Sequence, residues 1–313
     1  MKMQSEPTTF EETIIEDHAP LPSLTFCVDL DQDNFTTFQD VMDAIELEKS
    51  KSNTWFCTFG RNVDYELVDL KNPAMIGQKF NITFEDLWSF GATVSPFSGS
   101  HIIICSMLNF ELFKLPAMGE EYYFSIDIKT CHDKNFGLRI ERHEPYQSGY
   151  NHMFDMKKEY QYFRQGLSQY TLVTPVETES LKQRTHDCYE DNSMKMTDCI
   201  DKYIAEELNC SLPWTKPYSN LGVCSGTEEL TNFRTIHSKI TSKTTRFYLN
   251  RKGCLKPNCL QTKWKDSYVS LRPQDPNCTL IRIGQESDSH TIQRKEILLA
   301  DFSTFVVDCG SYL

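Results

Sequence analysis

Six of the twelve cysteines fall between Cys188 and Cys259, and this stretch constrains the fold of the 313-residue chain more than any other feature. The chain contains no Cys-x-x-Cys pair, and its eight histidines do not cluster at the spacing of zinc ligands. We therefore expect disulfides rather than a metal site, which places the protein in an oxidising compartment. A cytosolic protein with scattered free thiols is the alternative.

Two helices are predicted between these cysteines. The first spans 196–208, and Leu212-Pro-Trp214 follows it, where proline prevents the helix from continuing. The second begins at a capping box, Ser225-Gly-Thr-Glu228. Residues at helical spacing form the apolar faces: Met196, Cys199, Ile200, Tyr203, Ile204 and Leu208, then Leu230, Phe233, Ile236 and Ile240. The pattern predicts a helical hairpin held by disulfides.

The remainder of the chain favours strands, with one further helix at 35–51. Pro175 is expected to end one strand, and Gly60, Gly77, Gly91 and Gly99 are expected to mark turns. The predicted strands are 21–30, 101–108, 122–130, 136–142, 169–176, 245–249, 267–271, 279–283 and 291–300. This order predicts an α+β fold, a β-sheet scaffold into which a helical lobe is inserted.

The net charge of −12 argues against nucleic acid and anionic membrane surfaces as partners, because both attract lysine and arginine. Acidic pairs such as Glu120-Glu121 indicate solvated faces, with a cation-attracting vestibule as the alternative. No G-x-S-x-G, H-E-x-x-H or phosphate-loop motif is present, so we expect neither an enzyme nor a bound cofactor. His186-Asp-Cys188 favours a disulfide beside a surface histidine over a catalytic pair.

Four N-x-[ST] sequons are glycosylation candidates, although several would arise by chance in this composition. They are at Asn34, Asn81, Asn209 and Asn277. The N-terminus has no apolar signal-peptide region, and no stretch reaches the roughly 20 apolar residues of a membrane helix. Residues 298–313 become apolar where the sequence stops. These features together predict a piece of a longer extracellular protein.

Three separated stretches resemble the degenerin/epithelial sodium channel family, in the order in which that family carries them. Leu21-Pro-Ser-Leu-Thr-Phe-Cys27 is similar to the strand after the first membrane helix. Asp187-Cys188 through Cys210-Ser-Leu-Pro-Trp214 to Cys259 is similar to the thumb of the arthropod-type branch. Residues 301–313 resemble the approach to the second membrane helix, with Gly310-Ser311 in place of a double glycine.

The resemblance implies the extracellular region of a trimeric, voltage-independent sodium channel subunit at the plasma membrane. Its palm would be a β-sheet scaffold, and its thumb a disulfide-rich helical hairpin. The implied divisions are a polar lead-in at 1–20, palm strands with finger and knuckle insertions at 21–185, the thumb at 186–262, returning palm strands at 263–301 and the entry to the second membrane helix at 302–313.

The resemblance also implies disulfides, namely Cys188–Cys259, Cys199–Cys254, Cys210–Cys224 and Cys27–Cys105. It gives no partner for Cys57, Cys131 or Cys278, and it makes Cys309 a free thiol. Asp308, Cys309, Gly310 and Ser311 would form the segment just before the pore. One departure concerns 184–187, where Arg-Thr-His-Asp replaces a tryptophan that the family often has before the thumb.

The implied function is gating. An extracellular ligand, protons or shear would shift the thumb against the palm, and strands at 21–30 and 289–301 would pull on membrane helices. Partners would be homologous subunits, with sodium ions passing through a pore that these residues do not contain. The chain alone is therefore expected not to conduct, and a current recorded from it would contradict this. The alternative is a secreted or shed cysteine-rich binding module. Trp214 is interpreted either as a contact beneath the thumb or as an ordinary core residue.

Overall fold

The computed structural model describes segments along the whole chain. These are 8–15, 23–30, 35–50, 54–61, 64–94, 101–109, 122–131, 136–143, 160–164, 166, 168–180, 196–218, 220–240, 249, 254, 259–271, 278–285 and 289–296.

Strands and helices alternate irregularly through these segments. The strands are β1 (Thr8–Ile15), β2 (Ser23–Leu30), β3 (Thr54–Arg61), β4 (Asp64–Asp69), β5 (Trp88–Val94), β6 (Ile102–Leu108), β7 (Tyr122–Cys131), β8 (Phe136–His143), β9 (Tyr160–Arg164), β10 (Ser168–Ser180), β11 (Leu260–Leu271), β12 (Cys278–Gln285) and β13 (Ser289–Glu296). The helices are α1 (Phe38–Ser50), α2 (Pro73–Phe80), α3 (Phe84–Leu87), α4 (Met196–Leu208) and α5 (Thr227–Ile240).

Eight strands form a large sheet, in the order β1-β13-β10-β12-β7-β3-β4, with β11 also paired to β10. β10 pairs with β11 along most of its length, which occupies one of its two edges. Residues 168–172 of β10 pair with β12, and residues 176–180 pair with β13. Since a strand has two edges, β12 and β13 share the second edge, one after the other.

The position of Pro175 follows from this arrangement. A proline has no N–H to give to a ladder, so the sequence predicts that the strand ends there. β10 instead continues to Ser180, because Pro175 falls between the segment paired with β12 and the segment paired with β13. The expected strand end at Pro175 is therefore wrong.

Five antiparallel strands form a small sheet, in the order β5-β6-β2-β8-β9. On β2, alternation sends Leu24, Phe26 and Val28 to one face and Ser23, Thr25 and Cys27 to the other. β6 is buried at every residue except Met107, as expected for a strand covered on both faces.

A hydrophobic core lies between the two sheets. Leu24, Phe26 and Val28 of the small sheet share one buried cluster with Ile126 and Ile128 of β7, in the large sheet. β12 and the region of α2 and α3 complete it through Ile281, Ile283, Leu70, Ile76 and Leu87. At about 1.5–3 kcal/mol for each fully buried aliphatic side chain, this cluster contributes much of the free energy that holds the sheets together.

A second core forms where helices meet β5 and β6. We call α1, α4 and α5 the helical lobe. Its buried side chains include Phe38, Ile45, Ile200, Ile204 and Phe233, and they pack with apolar residues of β5 and β6 (Ala92, Val94, Ile102 and Ile104). The helical periodicity that predicted α4 and α5 is confirmed, since both helices bury the predicted side chains: Ile200, Ile204 and Leu208 on α4, and Leu230, Phe233, Ile236 and Ile240 on α5.

Two antiparallel-dominated sheets with helices packed against them confirm the α+β class. β2 lies in the small sheet, whereas β11, β12 and β13 lie in the large one, and the neighbour of β13 is β1. None of the helices in the described segments is both long and apolar enough to cross a bilayer.

Other local expectations differ from the structure. Gly60, Gly77 and Gly91 lie within β3, α2 and β5 rather than in turns. A Cβ placed on Gly77 would meet nothing nearer than the Ile82 carbonyl oxygen at 3.9 Å, so its environment does not require glycine. Of the strand predicted at 245–249, Leu249 alone is among the described residues, and it is helical.

β1 and β13 pair antiparallel over eight residues, with Glu11 directly opposite Gln293. Opposite residues in such a pair have Cα atoms about 4.5–5.5 Å apart, which a disulfide can bridge. We expect the double variant Glu11→Cys with Gln293→Cys to cross-link under mild oxidation, as detected by peptide mass spectrometry.

The matched control is Glu11→Cys with Arg294→Cys. A shift of one residue sends the second side chain to the opposite face of the sheet, so this pair should give little cross-link. Equal cross-linking of the two variants would show that the register is wrong.

Candidate functional site

Three disulfides are defined by both partners, Cys27–Cys105, Cys199–Cys254 and Cys210–Cys224. They are the same pairs that the family resemblance implies. Cys27 and Cys105 lie directly opposite each other on β2 and β6, at the centre of the small sheet. Cys259 and Cys278 each take part in a further disulfide bond. Disulfides of this number indicate an oxidising compartment.

A braced loop connects α4 to α5. The Cys210–Cys224 disulfide closes it, and next to the disulfide the Ser211 N–H donates to the Gly222 carbonyl over 2.8 Å. The Cys224 N–H donates to the Ser211 carbonyl over 2.9 Å, and the Tyr218 N–H donates to the Ser211 hydroxyl over 3.0 Å. Since one residue, Ser211, anchors three of these bonds, the loop holds Trp214 in a fixed position.

Trp214 connects the helical lobe to the small sheet. Its ring centroid lies 5.8 Å from that of Phe38 on α1 and 5.9 Å, edge to face, from that of Phe233 on α5. The same side chain packs against the buried cluster that contains the Cys27–Cys105 disulfide. Aromatic pairs of this geometry contribute about 0.5–1.5 kcal/mol each beyond the area that they bury. We call this set of contacts the junction.

The junction also positions α1. The Thr37 hydroxyl accepts from the Asp40 N–H, and the Asp40 carboxylate accepts from the Thr36 and Thr37 N–H groups, which caps the helix just before Phe38. The Thr36 hydroxyl also donates to this carboxylate, over 2.8 Å, and this bond, followed by those from the backbone, lowers the pKa of Asp40 to about 2. The Arg234 guanidinium of α5 donates to the carbonyl of Phe35, just before α1, over 2.9 Å, and the ring centroids of Phe38 and Phe233 lie 6.0 Å apart. A hydrogen bond and a ring contact therefore join α1 to α5.

His237 adds a buried polar contact to the junction through Phe233, one of the ring partners of Trp214. Its Nε2 lies 2.9 Å from the Thr93 hydroxyl of β5, and its ring meets Phe233 edge to face at 5.7 Å. The side chain is 5% exposed, and this burial lowers the pKa of the imidazole to about 3. His237 is therefore neutral at physiological pH, because a charged imidazolium would lose its hydration there.

Two of the four sequons lie at the C-terminal ends of helices. Asn81 and Asn209 are exposed and take left-handed backbone conformations, with φ of 55° and 58°, immediately after α2 and α4. Asparagine tolerates this conformation at a helix C-terminus, which gives both residues a structural role apart from glycosylation. The sequons at Asn34 and Asn277 lie outside the described residues, as do Cys188 and the segment Asp308, Cys309, Gly310 and Ser311.

The start of α5 differs from the predicted capping box by one residue. Helix α5 begins at Thr227, and the Gly226 N–H donates to the Glu229 carboxylate. Glu229, not Glu228, therefore closes the box, and Gly226 has no side chain for the reciprocal bond. The expected pair of Ser225 and Glu228 is wrong.

Sequence reasoning missed His237 and Thr93. A signal for His237 was present, because the buried residues Leu230, Phe233, His237 and Ile240 recur at helical spacing, and a polar residue at such a position indicates a buried partner. Within the described part of the chain, no group of three His, Cys, Asp or Glu side chains could hold a metal ion.

No family model and no curated protein matches the chain. Among solved structures, a similar chain is described as "Cryo-EM structure of a proton-activated chloride channel", with a TM-score of 0.36 and 6% sequence identity. That alignment covers 98% of this chain and 80% of the other. A TM-score and an identity this low do not establish a shared fold.

Trp214→Ala tests the junction. The substitution removes a ring that contacts two other rings and the disulfide cluster, so we expect the free energy of unfolding to fall by about 3 kcal/mol. Urea titration followed by far-UV circular dichroism measures this change. Trp214→Phe is the matched control, and its free energy of unfolding should fall by less than half as much as that of Trp214→Ala. A loss below about 1 kcal/mol for the alanine variant would contradict the assignment.

His237 makes stability depend on pH. Its pKa is about 3 in the folded chain and about 6.5 when unfolded, so between these values the unfolded chain binds the additional proton. The free energy of unfolding should therefore decrease as pH falls through this window, by up to about 1.4 kcal/mol for each pH unit.

Urea midpoints between pH 7.5 and pH 4.5 measure the slope. His237→Gln keeps a hydrogen-bonding group near Thr93 but cannot titrate, so its slope should be shallower than that of the wild type. His101→Gln, which removes a partly exposed histidine immediately before β6, is the control. Equal slopes for the wild type and His237→Gln would rule out this source of pH dependence.

Proposed function

We propose that the chain is the extracellular gating domain of a sodium channel subunit of the degenerin/epithelial sodium channel type. The observation that carries the proposal, beside the three sequence motifs, is the pairing of β1 with β13. Thr8 lies opposite Glu296, so the start of β1 and the end of β13 lie side by side in the large sheet. A gating domain requires this geometry, because both connections to the membrane must be moved together.

A continuous set of contacts links the helical lobe to these two strands. Cys199 of α4 is bonded to Cys254, and the chain then passes Cys259 directly into β11. β11 pairs with β10, the second half of β10 pairs with β13, and β13 pairs with β1. Backbone ladders stretch very little, so a displacement of the lobe would be transmitted to the flanking segments rather than absorbed.

The junction would set the resting position of the lobe in this mechanism. Trp214 and His237 hold α5 against the small sheet, and Arg234 ties α5 to α1. A stimulus acts by favouring one of two positions of the lobe, and it shifts the equilibrium only by its difference in affinity for the two. We further propose homologous subunits as partners, with sodium ions as the permeating species and the plasma membrane as the location.

The first experiment is to determine the complete coding sequence and to express it for current recording. We expect an apolar span of about 20 residues on each side of these 313 residues, and a sodium current in cells that display the protein. Stop codons on both sides, or surface protein without current, would overturn the proposal and favour a secreted cysteine-rich binding module.

Variants at Trp214 then test the role of the junction. Trp214→Ala should change the stimulus dependence of the current at equal surface abundance, measured by biotinylation, whereas Trp214→Phe should stay close to the wild type. A purely structural tryptophan would lower surface abundance and leave the stimulus dependence of the remaining channels unchanged.

A further inference from the structure

Three aromatic rings form a cluster between α1, the β4–α2 turn and β5. The centroids of Trp88 and Phe90 are 5.9 Å apart with nearly parallel planes, and Phe84 lies 6.3 Å from Trp88 and 6.4 Å from Phe90. The Trp88 indole N–H donates to the Leu70 carbonyl over 2.7 Å, which fixes the orientation of that ring. Trp88 is buried, whereas Phe84 and Phe90 are partly exposed. We call these rings the aromatic cluster.

A cation already occupies the aromatic cluster. The Lys71 ammonium lies 4.8 Å from the Trp88 centroid and 5.2 Å from the Phe90 centroid. Burial lowers the pKa of this lysine, and the carboxylates of Glu48 and Asp69 are close enough to oppose that shift. Lys49 approaches Phe90 as well, at 5.6 Å. Two rings, two carboxylates and a desolvated ammonium therefore meet at one place.

We propose that the aromatic cluster, together with Glu48 and Asp69, is a binding site for a weakly hydrated organic ammonium, and that Lys71 is its internal occupant. The negative faces of Trp88 and Phe90 attract a cation, and the carboxylates supply the opposite charge. These are the components with which proteins recognise quaternary ammonium groups. The inference stands on these contacts and does not depend on the channel proposal.

The chemistry favours an external ligand over the lysine. A primary ammonium is compact and strongly hydrated, so Lys71 loses hydration when it lies against the rings. A quaternary ammonium is larger and binds water less tightly, so it loses less hydration free energy when it enters the site. Its attraction to the rings is kept. When the ligand enters, the Lys71 ammonium returns to water. The hydration that it regains offsets part of the free energy lost with its ring contacts.

Displacement of Lys71 would have a structural consequence. Lys71 lies in the turn between β4 of the large sheet and α2, whereas Phe90 belongs to the small sheet and Glu48 to α1 of the helical lobe. The lysine therefore joins three parts of the molecule through one side chain. A ligand that replaces it removes that connection while it binds the same rings.

The test is a titration of the chain, labelled with ¹⁵N at the tryptophan indoles, with choline. We expect saturable movement of the Trp88 indole resonance, which Trp88→Phe identifies by its loss. Lys71→Met empties the site of its internal cation but keeps the aliphatic stem, and it should bind choline at least tenfold more tightly than the wild type. Lys79→Met is the matched control, because Lys79 pairs with Glu66 on the surface.

Two further measurements separate a cation site from an apolar one. Choline should move the resonance, whereas its neutral isostere 3,3-dimethylbutan-1-ol should not. Adding Phe90→Leu to the Lys71→Met variant should weaken its choline binding at least tenfold. The proposal is overturned if the isostere binds as well as choline, if neither the wild type nor Lys71→Met shows saturation, or if Phe90→Leu leaves the affinity unchanged.

Discussion

The large sheet depends on the hydrogen bonds of one strand, β10. Its first edge is occupied by β11, and its second edge is divided between β12 and β13. Each of those partners comes from the last part of the chain, whereas β7, β3 and β4 come from the first half and reach the sheet through β12. Without β10, the part of the sheet formed by β12, β7, β3 and β4 would share no ladder with the part formed by β13 and β1.

Side-chain contacts, rather than a backbone ladder, hold the small sheet and the helical lobe together. Their connection includes the apolar core that both share with β5 and β6, the ring contacts around Trp214 and the buried hydrogen bond at His237. In the loop-entropy model, the Cys210–Cys224 disulfide restricts the unfolded chain by about 3 kcal/mol and Cys199–Cys254 by about 4 kcal/mol. The Cys210–Cys224 disulfide stiffens the lobe itself, whereas the described contacts between the lobe and the small sheet are noncovalent.

The sequence predicted the lobe better than the sheets. Helical periodicity was sufficient for α4 and α5, because each buries one apolar face, and the α+β class followed from the order of elements. β1 was missed because Thr8–Ile15 is polar in composition and its partner β13 lies at the other end of the chain. The strand end predicted at Pro175 failed because only the three-dimensional order of β12 and β13 reveals the gap that accommodates a proline.

The candidate site was predictable only in part. Trp214 stands out in Cys-Ser-Leu-Pro-Trp, and the disulfide pairs came from a family resemblance rather than from spacing. The partners of Trp214 come from α1 and α5, and no periodicity relates residue 38 to residue 233. His237 and Lys71 were missed for the same reason, since burial and the approach of distant rings determine what each of them does.

The pairing of β1 with β13 has a consequence for synthesis. Thr8 and Glu296 are separated by 288 residues (296 − 8), so at ribosomal rates of about 5–20 residues per second β1 waits roughly 15–60 s for its partner. The small sheet needs no residue beyond Arg164, so it and the Cys27–Cys105 bond can form while translation continues. The large sheet closes last. During that interval β1 exposes an unpaired strand edge, and such an edge can pair with another chain.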